Sequence, residues 1–244
     1  MHNKNKGFSL IELAIVITVI AILTTMVIAT KKTMHNAKVI SFIDQIEKYK
    51  FAYEIFVDKY GSPPGDIADA DNLFTNAHNI GNDDGFIAYA SSTSATPGKG
   101  TAESNAAWQH LKLAGLISGN FSGAIGGSAG TEYPECALLQ DCSLHFSSAN
   151  IHQRLIREQN YIVTALNSGS SLEVIPVKDA YNLDLKIDDG LPYNGWINGI
   201  STTSNCSKDL DSTWSSNLEN AEYLSNDSNC IMIFALDLPN FTWK

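Results

Sequence analysis

Positive charge is scarce in this chain of 244 residues: sixteen Lys and Arg stand against twenty-six Asp and Glu, a formal net charge of −10. A protein that binds nucleic acid through bulk charge needs the opposite balance. Proline is absent before Pro63, so no proline interrupts a helix in the first sixty residues. Four cysteines are too few for a disulfide-dense miniprotein, and no two of them form a CxxC pair. GxSxG, HExxH, a P-loop and a glycine-rich dinucleotide turn are also missing, so hydrolytic, zinc-protease and nucleotide chemistry have no signature here. There is no internal repeat. What is present is a hydrophobic fraction of 44%, enough to exclude a disordered or collagen-like chain. The length allows one large domain or two small ones.

Charge is divided unevenly along the chain. Residues 1–60 hold eight Lys and five acids, whereas residues 61–244 hold eight Lys or Arg and twenty-one acids. The basic segment also contains the longest apolar run, FSLIELAIVITVIAILTTMVIA at 8–29. Its 22 residues are apolar apart from Ser9, Glu12 and three threonines. About 20 apolar residues in a helix span a bilayer core, and a soluble core helix rarely stays apolar on every face for so long. MHNKNKG precedes the run, and no small-residue secretory cleavage site follows it. Lys4 and Lys6 on one side are matched by Lys31 and Lys32 on the other, so lysine counting does not orient the span. Glu12 is the exception within the run. An ionised acid in hydrocarbon costs at least a few kcal/mol, so such residues tend to have partners.

In residues 31–60, Val39, Phe42, Ile43, Ile46, Tyr49, Tyr53, Phe56 and Val57 recur at helical spacing. Lys38, Asp44, Glu47, Lys48, Glu54 and Asp58 occupy the other face. Gly61 and Pro63-Pro64 stop the helix. One apolar stripe of this width suits docking on a sheet; a coiled-coil stalk is the alternative, but the chain beyond carries no heptads. The rest is rich in Gly, Ser and Asn at 91–105, 118–131, 167–171 and 198–207. Within it the pattern predicts helices at 104–116, 148–159 and 176–186 and strands at 161–166 and 231–236. The fold class is therefore α+β.

GFSLIEL opening a long apolar stretch closely resembles the N-terminal signature of type IV prepilins and type II secretion pseudopilins. The resemblance implies a leader at 1–7, a transmembrane half-helix at 8–29, an amphipathic half-helix at 30–60 and an α+β pilin-like head at 61–244. It further implies that the long helix packs on an antiparallel sheet carrying long loops. A membrane peptidase of that family would cut between Gly7 and Phe8 and methylate Phe8. Glu12, then the fifth residue, would meet the N-terminal amine of a neighbouring subunit. Each charge is costly alone in an apolar filament core, and each neutralises the other on assembly. Glycine before the cut suits a protease that must approach the backbone closely. One departure stands out: many family members carry proline at the position of Ala29, which puts local melting of this helix in doubt. KYGSPPGDIADADNLF, GNDDGFI, AWQHLKLAGLISGNFSG and LDLKIDDGLPYNG also resemble blocks of some longer pseudopilin-like proteins.

The implied partners are like or related pilin subunits, the prepilin peptidase, an inner-membrane assembly platform and membrane lipid. The implied location is the inner membrane, single-pass, with the head in the periplasm or at the cell surface after assembly. A minor tip subunit whose head binds a surface, a secreted substrate or another subunit is the alternative. A membrane-anchored periplasmic enzyme is further off, because catalytic motifs are missing. DNA uptake is opposed by the acidic head.

Cys136, Cys142, Cys206 and Cys230 permit three pairings. Proximity favours Cys136–Cys142 and Cys206–Cys230, and the family resemblance implies that the second closes a C-terminal loop. Zinc, with His145 near Cys142, is the alternative. No cofactor is required. Calcium is the one candidate ligand: Asp184, Asp188 and Asp189 before Gly190 offer the oxygen donors it prefers, and Asn82, Asp83 and Asp84 before Gly85 form a second cluster. Neither has EF-hand spacing, and Asp or Asn before glycine also makes ordinary turns. His110, beside Trp108 and Leu111, reads as a packing or surface residue.

Overall fold

The computed structural model describes residues 9–78, 80–88, 103–124, 129–148, 159–167, 172–193, 195–201, 206–207, 222–224 and 228–236. Helix α1 spans Leu10–Tyr60, 51 residues, or about 77 Å at 1.5 Å per residue. It ends where Gly61 adopts a φ of +76° and its N–H reaches the Val57 carbonyl at 2.8 Å. That left-handed conformation costs glycine nothing, and the proline pair beyond prevents the helix from resuming.

The apolar stripe of α1 is the face it buries. Val39, Phe42, Ile46, Tyr53 and Phe56 are buried, Ile43, Tyr49 and Val57 partly so, and the charged residues of the other face are exposed. Its ring contacts fix the docking. Phe42 meets Phe234 edge-on at 5.8 Å between centroids, Tyr53 stacks on Phe146 at 6.2 Å, and Tyr49 meets Trp108 at 4.9 Å. Each fully buried aromatic contributes about 1.5–3 kcal/mol by burial alone, so the stripe is ample to hold the helix on the head.

Those partners lie on an antiparallel sheet of five strands, β1 (Cys142–Ser148), β2 (Asn160–Leu166), β3 (Ile175–Pro176), β4 (Ile197–Ile200) and β5 (Asn229–Ala235), and on helix α2 (Glu103–Leu113). Helix α3 (Val177–Ile187) comes directly after β3. In β1 and β2, Leu144 stands opposite Thr164 and Phe146 opposite Ile162; Ile162 in turn stands opposite Phe234 of β5. Strand β5 also pairs with β4, Ile231 opposite Ile200, and with β3, Cys230 opposite Ile175. The α+β architecture expected from the sequence, a long helix on an antiparallel sheet, is what forms.

Several boundaries differ. The helix expected at 104–116 ends at Leu113, because Gly115 turns left-handed at φ +74° and Leu116 N–H folds back to the Leu111 carbonyl. That is the six-to-one closure of a helix end, and it leaves Leu116 outside. The helix expected at 176–186 runs Val177–Ile187, with Pro176 just before its first residue. Strands expected at 161–166 and 231–236 are Asn160–Leu166 and Asn229–Ala235. Of the helix expected at 148–159, residues 149–158 lie outside the described residues, and Ser148 ends a strand.

Candidate functional site on the anchor helix

The first half of α1 has no contact with the head: every described side chain from Leu10 to Val27 is exposed, including Leu10, Ile11, Leu13, Ile15, Val16, Ile17, Val19, Ile20, Ile22, Leu23, Met26 and Val27. A helix apolar on all sides and bare of protein is matched to lipid or to other helices. It is long and apolar enough to cross a membrane. Its polar groups are satisfied internally. Thr18, Thr24 and Thr25 donate to the carbonyls of Ile15, Ala21 and Ile22 at 2.8–2.9 Å, and Thr30 donates to that of Met26 at 2.8 Å. Hydroxyls bonded in this way avoid the several-kcal/mol cost of an unpaired polar group in hydrocarbon.

At the N-terminus, Ser9 has extended backbone geometry and its N–H donates to Glu12 Oε2 at 2.8 Å. The carboxylate thus turns back toward the start of the helix, where the free N–H groups and the helix dipole favour negative charge. Gly7 and Phe8 lie outside the described residues. In sequence Glu12 follows Phe8 by four residues.

Residues 2–28 match the prokaryotic N-terminal methylation motif. The chain carries the class III leader of type IV pilins and pseudopilins. The leader's match ends where the exposed apolar half of α1 ends, and the same helix continues without a break into the stripe that carries the head. Type IV pilins and pseudopilins are structural proteins, and this leader marks a precursor of that kind. No curated protein and no solved structure matches the chain.

Beyond the leader, the structure joins Cys136 to Cys142 and Cys206 to Cys230 as disulfides. That consumes all four thiols, so no thiolate remains for zinc. The first closes a small loop against α1, where Gln45 donates to the Glu135 carbonyl and accepts from Ala137 N–H at 2.7 and 2.9 Å. The second ties β5, at Cys230, to the chain 24 residues earlier. His145 is buried, packs tilted against Tyr133 at 4.1 Å between ring centroids and contacts Ser143 Oγ at 2.9 Å. Burial pushes its pKa down to about 3. A Ser–His contact sealed this way is unreachable by substrate, and it packs the sheet face away from α1.

The structure does bring Asp184, Asp188 and Asp189 together, with one carboxylate oxygen of each within 4.8 Å of the others. Each of the three carboxylates also accepts hydrogen bonds from the protein. Asp184 accepts from Gly190 N–H at 3.0 Å and from Tyr223 hydroxyl at 2.8 Å; Asp188 accepts from Trp196 and Ile197 N–H at 2.6 and 3.1 Å; Asp189 accepts from Leu191 N–H at 2.8 Å. Calcium takes six to eight oxygens; each oxygen of the fully buried Asp184 already accepts one hydrogen bond. Burial, with the charges of Asp189 and Asp188 adding to it, lifts the Asp184 pKa to about 7. The hydrogen bonds that these carboxylates accept clamp the turn between α3 and β4.

Asp66, which lies outside both candidate acidic clusters, organises the second of them. Asp66 is fully buried and accepts from Asp84 and Gly85 N–H at 3.2 and 2.8 Å, while Asp83 Oδ1 accepts from Ala68 N–H at 3.1 Å. Burial raises the Asp66 pKa above its ordinary range. His110 is buried, accepts from Gly65 N–H at Nδ1 at 2.9 Å and contacts the His78 carbonyl through Nε2 at 3.1 Å. Gln109 Oε1 accepts from His78 N–H at 2.7 Å. Three of the sequence blocks that resemble longer pseudopilin-like proteins, those containing Asp66, Asp83–Asp84 and His110, are therefore one knot at the far end of α1. Glu103 completes it, buried and accepting from Ala88 N–H at 2.8 Å, with its pKa raised to about 7 chiefly by burial.

Proposed function

We propose that this chain is a structural subunit of a type IV pilus or a type II secretion pseudopilus. It is made as a single-pass inner-membrane precursor with its head in the periplasm, cut after Gly7, methylated on Phe8 and assembled through α1. The domains are then 1–7 leader, 8–29 membrane half-helix, 30–60 amphipathic half-helix and 61–244 head. The observation that carries this reading is the continuity of the helix: a leader motif leads into an apolar half bare on every side, and that half leads into a half wedded to a folded head. Such a molecule has buried everything it can alone. The half-helix leaving the membrane must be covered by other copies or by related subunits, and this burial drives packing.

Glu12 then exchanges its bond to Ser9 N–H for the Phe8 amine of a neighbour, which sets the packing of the membrane halves. The reading needs no catalytic residue. Mass spectrometry of the mature N-terminus tests it: with the prepilin peptidase present the chain begins at Phe8 and carries one methyl group, and without the peptidase it keeps residues 1–7. A chain that still begins at Met1 when the peptidase is active would overturn it.

A further inference from the structure

A carboxylate sealed from water needs a proton or a cation to balance it. The knot at the far end of α1 holds two such acids, Asp66 and Glu103, both 0% exposed. Three segments meet there: Asp66 follows the Pro63-Pro64-Gly65 turn, the loop at 82–88 wraps it, and Glu103 is the first residue of α2. The Asn82 N–H favours the ionised form of both carboxylates, so both lie beside it, and the charges of Asp66 and Asp84 act on Glu103. Neither buried acid forms an ion pair among the described residues.

Hydrogen bonds leave this pair incomplete. Asp66 accepts from Asp84 N–H at Oδ1 at 3.2 Å, and from Gly85 N–H and the Ser62 hydroxyl at Oδ2 at 2.8 and 3.4 Å. Oδ1 therefore keeps a further lone pair. Glu103 Oε2 accepts from Ala88 N–H at 2.8 Å, but its buried Oε1 has no partner among the described residues. Such an orphan carries the full cost of desolvation. Asp84 is exposed, so the knot opens to water on that side. In the cluster of Asp184, Asp188 and Asp189, by contrast, no buried carboxylate oxygen is left without a partner among the described residues.

We propose that this knot binds one calcium ion, with Glu103 Oε1 and Asp66 Oδ1 as its buried ligands, Asp84 at its mouth and water completing the shell. Calcium accepts oxygen ligands in flexible geometry, whereas magnesium gives up its water reluctantly and suits a sealed pair of acids poorly. The ion neutralises two like charges at once and ties residues 66, 82–88 and 103 into one unit. It also displaces a proton: burial first, and then the charges of Asp66 and Asp84, hold the Glu103 pKa up to about 7, so binding at pH 6.5 releases a proton from that carboxyl. The site is independent of the assembly reading.

The test titrates the full, detergent-solubilised chain with calcium chloride at pH 6.5, followed by melting and by calorimetry in buffers of different ionisation enthalpy. At a hundred times Kd the melting temperature rises by about 5–10 °C, and the heat depends on the buffer because a proton leaves Glu103. Asp84→Asn, an exposed change, weakens binding about 10-fold and keeps the parent's melting temperature in chelator. Glu103→Gln abolishes both the shift and the proton release, whereas Asp189→Asn, in the other acidic cluster, keeps both. No shift with calcium, an equal shift with magnesium chloride, a shift that Asp84→Asn and Glu103→Gln leave intact, or one lost in Asp189→Asn overturns the site. None of these readouts depends on whether the chain enters filaments, so failure here and failure of the assembly reading are separate.

Discussion

The two halves of α1 solve opposite problems with one helix. From Leu10 to Val27 no described side chain is buried, and the polar groups are satisfied within a turn of themselves, threonine to carbonyl and Glu12 to Ser9 N–H. From Val39 onward the helix is held by distant residues: Phe234, Phe146, Trp108 and the knot around His110. The first half is locally complete and globally unfinished. The second is finished, and substitutions there act on stability. The contrast teaches that the same element can be read for assembly in one half and for folding in the other.

The strongest way to test that division is Glu12→Ala. Filament incorporation falls by at least about 10-fold as the buried countercharge is lost, while the melting temperature of the head is unchanged; a shift in melting would show that the halves are coupled. In the second half, Phe56→Ala removes a fully buried ring that contacts Tyr60, Phe74 and His110. It costs about 3–5 kcal/mol in urea unfolding of the solubilised chain, and cleavage by the peptidase proceeds as before. Replacing Cys206 and Cys230 together by Ser releases a 24-residue span and costs about 3 kcal/mol on the chain-entropy account, with no effect on processing.

The smallest effect concerns pH. His110 and His145 have pKa values pushed below the ordinary imidazole value, to about 4 and about 3. The unfolded chain therefore binds more protons below pH ~6.5, and these groups make stability rise with pH up to that point. Glu103 and Asp184, raised to about 7, bind protons in the folded state that the unfolded chain releases near pH 4, so they make stability fall from pH ~4 to ~7. The slopes oppose each other and partly cancel between pH ~4.5 and ~6.5, with Asp66 and Asp188, also raised by burial, adding to the falling side. Glu103→Gln removes one falling contribution, so the melting temperature of the variant, relative to the parent's, increases with pH across that window. A profile parallel to the parent's would show that the Glu103 carboxyl is not held up by its burial.

Legibility in the sequence obeyed the same division. The leader, Glu12, the span and the stripe from Val39 to Val57 could all be read, because each depends on neighbours within a few turns. The strands of the head were read only where apolar residues run together, in β2 and β5. Strand β1 alternates Leu144 and Phe146 with Ser143, His145 and Ser147, and β4 is four residues with an internal glycine. Neither pattern stands out until its partner strand is known. Asp66 and Glu103 are buried acids that the local sequence does not mark. Their burial depends on backbone N–H groups about fifteen to nineteen residues away, and no local pattern records that. A carboxylate one or two residues beyond a proline–glycine turn, with an Asp-Asp-Gly further on, was the available signal.

Strand β5 draws these facts together in time. It is the last described element, and it pairs with β2, β3 and β4, while its Cys230 reaches back to Cys206. A ribosome delivers the chain from its N-terminus, so α1's apolar half is complete long before residue 235 is made. Until then the sheet lacks the strand that joins three others, and the chain beyond the anchor stays open. Synthesis from the N-terminus thus leaves the sheet open until β5 is made, and pairing of β5 reports that the other described strands are already present.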